Sequence, residues 1–242
     1  MITIPDPYLR HAIKNEVFDI TNGSEILSKS NVEKITILRI GKDPKKIVSL
    51  EGIQNLTNLD RLELATIHIA DLKPLEGLKE LQYLNLFECG ITNIEPLRGL
   101  TNLRELNLGR NKITDLKPLS NLTSLSRLEL GANKITDITS LRLLKYLDSL
   151  DLSNNENISD LSPLKDYNQI KELALYQNKI ENLEPLKGLM TLEILDLGNN
   201  KIANIDALKN LTKLKKLELD MNNISDKSVL KNLPNLQKED TN

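Results

Sequence analysis

From Leu56 onward the apolar residues fall into a frame that restarts every 22 residues. In each copy they occupy positions 1, 4, 7, 9, 14, 17 and 20, with mostly polar residues between. The copies begin at Leu56, Leu78, Leu100, Leu122, Leu144, Tyr167, Leu189 and Leu211, and the copy at Leu144 has one extra residue in NNENI. A longer copy runs from Val32 to Asn55, with two extra residues in GKDPKK, which makes nine. Position 12 is Asn in Asn111, Asn133, Asn155, Asn178, Asn200 and Asn222, and is Ile67 or Cys89 in two others. This is the leucine-rich repeat pattern.

The spacing predicts the elements. Positions 7 and 9 alternate, so Leu106 and Leu108 point to one side of a short strand, the core side. An Asn at position 12 can donate and accept within the following bend. Stacked copies then satisfy backbone groups that the bend leaves open, and Ile67 and Cys89 break that ladder near the N-terminal end. On the return side, Pro74 and Pro96 suit the first position of a helical turn. Gly77 and Gly99 suit a left-handed end to it, with Asn121 and Asn210 in the same place, and Ser162 and Asp206 resemble N-caps. So little chain is left there that the turn is expected to be 3₁₀. The predicted fold is a right-handed leucine-rich repeat solenoid: a parallel concave β-sheet, mostly 3₁₀ turns on the convex side and gentle curvature. One copy cannot cover its own leucines, so stability is nearest-neighbour and requires caps at both ends.

Residues 1–31 are expected to form a helical N-terminal cap. In IPDPYLRHAIKNEVF, Asp6 can cap a helix whose first residue is Pro7, with Leu9, Ala12, Ile13 and Val17 on its apolar face. Asn22-Gly23 then turns the chain. Residues 32–232 hold the nine repeats. Leu233 and Leu236 open a tenth, and 233–242 reads as a short C-terminal cap or tail.

IPDPYLRHAI, then SLEGIQNLTNL, then repeats ending ITDLKPLSNL closely resemble bacterial internalin-like leucine-rich repeat proteins, across essentially the whole chain. The 22-residue frame alone is shared with the leucine-rich regulatory subunit of eukaryotic protein phosphatase-1. The helical cap joined to LEGIQNLTNL favours the internalin-like group. The resemblance implies a non-catalytic protein that binds another protein on its concave sheet. As written the chain has no signal peptide, sorting motif, immunoglobulin-like C-terminal cap or wall-binding module, so protein binding is expected and host-cell adhesion is not. The compartment is cytoplasmic as written, and secreted or cell surface if a leader has been removed. Two other roles are open: a targeting module of a larger enzyme or surface protein, and a regulatory subunit of a phosphatase or kinase.

Composition narrows the partners. Lys+Arg 32 nearly cancels Asp+Glu 34, and the net charge of -2 makes no case for nucleic acid or an anionic membrane. No run approaches the length of a transmembrane helix, so no membrane insertion is expected. Aromatics are 3% of the chain, so the core is built from Leu and Ile. With one cysteine, Cys89, no internal disulfide can form. Two histidines, His11 and His68, offer no zinc spacing, and neither GxSxG nor GxxxxGK[ST] is present. The position-16 residues Asp71, Asp115, Asp137 and Asp160 are expected to brace turns and not calcium, since each copy offers one carboxylate there. No enzyme activity, cofactor or metal is expected, and the chain is expected to be a monomer.

The outward positions 6, 8 and 10 are where a partner protein can be read. The candidate residues are Arg61, Glu63, Tyr83, Asn85, Phe87, Glu105, Asn107, Arg127, Glu129, Asp151, Tyr176, Asp196 and Glu218. Two patches stand out among them. Tyr83 and Phe87 share one strand and one face, in a chain with 2 Phe and 5 Tyr, and interfaces are enriched in such anchors. The other reading of Phe87 is a ring folded over the rim to cover the missing Asn at Cys89. At position 8, Glu129, Asp151, Asp196 and Glu218 make an acidic column. It is either a site for a basic partner or a run compensated by Arg127 and Lys216. Position 13, with Lys112, Lys134, Lys179 and Lys201, reads as a solvated basic flank.

Overall fold

A computed structural model describes residues 1–21, 26–40, 46–69 and 71–237. The expected Asn22-Gly23 turn, nearly all of GKDPKK and the tail from 238 lie outside the described residues. The chain divides into two compact units, Met1–Ile113 and Thr114–Asn242.

The first unit opens with α1, Pro7–Ile20, which buries Leu9, Ile13 and Val17 as its 3.6-residue spacing requires. Asp6 caps it: Oδ1 accepts from the Tyr8 and Leu9 amides at 2.9 Å. Its Oδ2 accepts from the Val48 and Ser49 amides at 2.9 and 3.3 Å, so one buried carboxylate ties the helix to the first repeat. A second short helix, α2 (Lys29–Val32), is capped by Ser28 and was not foreseen from the pattern. Four residues are too few to show a period. Strands β1 (Ile37–Arg39), β2 (Arg61–Glu63), β3 (Tyr83–Asn85) and β4 (Glu105–Asn107) pair in parallel, bringing Leu38, Leu62, Leu84 and Leu106 into register.

The second unit repeats the arrangement with β5 (Arg127–Glu129), β6 (Ser149–Asp151), β7 (Glu172–Ala174), β8 (Ile194–Asp196) and β9 (Lys216–Glu218), all parallel. Within each unit the apolar frame positions line an aliphatic core. Each fully buried leucine contributes about 1.5–3 kcal/mol, and it does so only because the next coil covers it. Leu233 is buried, and the Gln237 amide bonds the Lys215 carbonyl as Lys215 bonds Glu193, so a tenth coil does begin.

The bend after each strand is built around the position-12 asparagine. Asn111 Oδ1 accepts from the Cys89 and Ile91 amides of the preceding coil, while Nδ2 reaches the Leu86, Leu108 and Gly109 carbonyls. In the second unit Asn155, Asn178 and Asn200 each accept one amide of the preceding coil, from Ile135, Ile158 and Ile180, and reach carbonyls of both coils. Where Cys89 stands instead, its thiol points to the Leu64 carbonyl at 3.1 Å, a weaker donor in the same place. Burial pushes that thiol's pKa up, which disfavours the reactive thiolate. Tyr167, the one non-leucine at position 1 of the 22-residue copies, buries its ring and donates its hydroxyl to the Leu141 carbonyl at 2.7 Å. Among the described residues no buried side-chain nitrogen or oxygen lacks a partner.

Two expectations for the turns are corrected. Among the described glycines only Gly52 and Gly90 have positive φ, so Gly77 and Gly99 are not left-handed ends. The left-handed residue is at position 11, directly before position 12: Thr66, Glu88, Arg110, Ala132, Asn154, Gln177, Asn199 and Met221 have φ between 52° and 63°. Thr66 and Glu88 take this conformation before Ile67 and Cys89, so the bend forms with or without the Asn. The extra residue of NNENI is absorbed by a second such position, Glu156. The 3₁₀ turns are also not capped by Ser162 or Asp206. Position 16 does it: Asp71, Asn93, Asp115, Asp137, Asp160, Asn182, Asn204 and Asp226 each accept the amide two residues on. The expected bracing role of the position-16 aspartates is therefore seen directly.

Candidate protein-binding face

Strand positions 6 and 8 point away from the core, in columns about 4.8 Å apart from strand to strand. Both positions are half-buried or exposed, while position 7 between them is buried throughout. The strand sequence thus separates what folds the coil from what faces outward.

In the first unit these side chains form one connected patch. Glu63 Oε1 accepts from Arg61 Nε at 2.8 Å and from Arg39 Nε at 3.2 Å. Burial acts to raise the Glu63 carboxyl, and the two guanidiniums override it and hold the carboxyl below its usual range. The Arg61 guanidinium also lies 3.4 Å from the centroid of the Tyr83 ring, on the next strand. Phe87, two residues past β3, rests on Gly109 of the following coil. A Cβ placed at Gly109 would sit 3.1 Å from the ring. Arg110 lies 5.7 Å from the Phe87 centroid. Tyr83 and Phe87 are therefore both half-buried and both bordered by arginine.

The second unit uses the same seat. Tyr176 rests on Gly198, where a Cβ would meet the ring at 2.9 Å. Its face is otherwise acidic. Arg127 pairs with Glu129 at 2.9 Å and Lys216 with Glu218 at 3.1 Å, so the expected compensation is present for those two carboxylates. Asp151 and Asp196 have no ion pair among the described residues, and each accepts the amide two residues on, from Ser153 and Gly198. Burial, together with the charges of Glu218 and Asp151, raises the Asp196 pKa against that amide. Counting positions 6, 8 and 10, Arg127 and Lys216 stand against Glu129, Asp151, Glu172, Asp196, Glu218 and Asp220, a balance of -4.

Some candidate residues carry an architectural duty that the pattern did not reveal. Asn85 and Asn107 accept the Phe87 and Gly109 amides, the same strand-ending bond that Asp151 and Asp196 make. Glu105 and Glu172 are exposed at position 6, and Glu172 accepts from Ser149. The seats Gly109 and Gly198 were missed, although the signal was present: an aromatic at position 10 followed by Gly at position 10 of the next copy. The basic flank is exposed, with Lys179 bonded to Asn157 and Lys201 3.8 Å from Glu181.

Among the described residues there is no group of three or more His, Cys, Asp or Glu able to hold a metal, and no helix long and apolar enough to cross a membrane.

The comparisons agree with this architecture. The Leucine Rich repeats (2 copies) family model matches residues 79–120, 101–143 and 191–232. An internalin (inlF) from Listeria monocytogenes is 33% identical over 96% of this chain and 74% of its own, with a TM-score of 0.81. The chain is a leucine-rich repeat protein of the internalin family. Internalin C2 from the same organism is 31% identical, covering 96% of this chain and 91% of its own, with a TM-score of 0.69. The functional domain of InlJ is 25% identical over 92% of this chain and 52% of its own, with a TM-score of 0.73. A search of curated protein sequences finds no match. Leucine-rich repeat proteins of this fold are generally protein-interaction scaffolds.

Proposed function

We propose that the chain is a non-catalytic scaffold that docks a partner protein on the outward sheet face, with Tyr83 and Phe87 as anchors. The observation that supports this most is the seating of Phe87. Its ring is held on Gly109 beside Arg110, half in solvent, at a position that is Ala or Gly in four other described coils. A ring fixed before contact loses little conformational freedom on docking. Aromatic and arginine side chains side by side are the composition of interface hot spots. Affinity capture with the wild-type chain, followed by calorimetry on the purified partner, tests the reading. Phe87→Ala is expected to weaken that partner by about 2 kcal/mol or more, with an unchanged melting curve. A partner held equally well by the folded variant removes Phe87 from the site.

A second reading rests on the acidic face of the second unit. Asp151 and Asp196 lack ion-pair partners among the described residues and flank Ala174, which leaves room between them. A basic surface on the partner complements that arrangement.

A further inference from the structure

The turn side of a repeat protein contains its own control. Copies of one coil show which residues the architecture uses at each place, so a surface departure in a single coil has another cause. Three departures fall together between the 3₁₀ turns Thr139–Leu143 and Ser162–Leu164 of the second unit.

The first is apolar. The last position of the coil is Gly, Asn or Asp in every other copy, among them Gly99, Asn121, Asp166 and Asn210, but here it is Leu143, 52% exposed. Three residues on in the chain, and outside the groove's lining, Tyr146 is 63% exposed at a place that is polar in the other copies, Asn58 and Asn102 among them. The second departure is in charge. Arg98, Lys187 and Lys209 each follow an acid by three residues, Glu95, Glu184 and Asp206. Arg142 and Lys165 occupy the same place but follow Thr139 and Ser162, as Lys231 follows Ser228; only at Arg142 and Lys165 do two such bases fall in successive coils beside an exposed leucine. Neither has an ion pair or side-chain hydrogen bond among the described residues.

The third is the groove itself, about 530 Å³. Its charged lining is Arg142, Lys145 and Lys165 against Asp166 alone. Two comparable grooves in the first unit are lined by two bases against three acids and by three against three. The basic excess thus coincides with the exposed leucine.

We propose that this groove docks an acidic segment of a partner protein, one bulky apolar side chain entering beside Leu143 while carboxylates meet Arg142 and Lys165. An apolar centre rimmed by uncompensated cations complements such a segment in both shape and charge. The groove is on the turn side of the coils, away from the strands, so it does not depend on the sheet-face proposal.

Random twelve-residue peptides displayed on phage, selected on the full chain at low ionic strength, provide the probe. Enriched peptides are expected to carry one Leu, Phe, Tyr or Trp with at least two Asp or Glu nearby. A synthetic peptide of that sequence should bind at least tenfold more weakly to Leu143→Asn/Tyr146→Asn and to Arg142→Ser/Lys165→Ser. It should bind Phe87→Ala like wild type. The asparagines are the residues that sister coils already carry, and melting curves confirm that the variants fold. The proposal is overturned if no acidic-apolar class is enriched, or if its peptides bind the groove variants within twofold of wild type. Peptide binding lost in Phe87→Ala alone, or a groove that engages only anionic vesicles or a second copy of the chain, overturns it as well.

Discussion

Asp6 shows how much one side chain can connect. Its two carboxylate oxygens take four backbone amides, two in α1 and two in the segment before the 3₁₀ turn Ile53–Asn55. Burial works against the charge, and the four amides outweigh it, so the carboxyl lies below its usual 3.8. The stabilisation is therefore complete above that ordinary value and is lost as pH falls through the folded-state value. Asp6→Ala is expected to cost about 1–2 kcal/mol at pH 7, read as earlier melting and faster hydrogen exchange in α1. At a pH below the lowered folded-state value of the carboxyl the wild type and the variant should converge. A gap of the same size at both pH values would mean that the charge is not what holds the cap. The N-cap half of this was legible in the sequence, because Asp before Pro is a local signal. The half that reaches Val48 and Ser49, 42 and 43 residues on, is tertiary and left no local trace.

At the scale of the coil, strand, bend and turn each have a fixed polar device. Position 8 Asn or Asp ends the strand, position 11 goes left-handed, position 12 Asn ties neighbouring coils, and position 16 starts the 3₁₀ turn. The recurrence of Asn at position 12 and Asp at position 16 made two of these readable. Position 11 was not, because Thr, Glu, Arg, Ala and Met there give no sign of a positive φ. Backbone geometry imposed by the neighbouring coil overrides the usual preference for Gly. The same coil pairing seats Phe87 on Gly109, which gives a test that leaves the anchor itself in place. Gly109 has no positive φ, so Gly109→Ala is expected to change stability by less than about 1 kcal/mol. Its new Cβ would crowd the ring at 3.1 Å and weaken partner binding in the same direction as Phe87→Ala. Undiminished affinity in that variant would show that the ring's seat does not matter.

For the molecule as a whole, stability is a sum over adjacent coils, and recognition depends on how charge is distributed over surfaces that the stack creates. The net charge of -2 conceals a sheet face of -4 in the second unit and a basic groove among its turns. If the acidic face steers a basic partner, Asp196→Asn with Glu218→Gln should lower the association rate severalfold at low salt and leave dissociation nearly unchanged. Stopped-flow rates at increasing ionic strength check this: the wild type should slow toward the variant as the Debye length falls below about 8 Å. Equal rates at low salt would remove the acidic face from recognition.

The 22-residue period by itself determined the fold, because an aliphatic residue at each frame position is useless until another coil covers it. It also determined which residues face outward, since strand alternation admits no other assignment. What Arg61, Phe87, Tyr176 or Leu143 does was decided only by tertiary structure. Arg61 stacks on Tyr83, the two rings lie on glycines of the next coil, and Leu143 lines a groove beside cations. The stacking and the two glycine seats each join residues 22 apart, and the groove joins the turns of two successive coils. The distance in sequence is fixed by the period, but the contact is made by side-chain shape and charge, which a hydrophobic pattern does not encode.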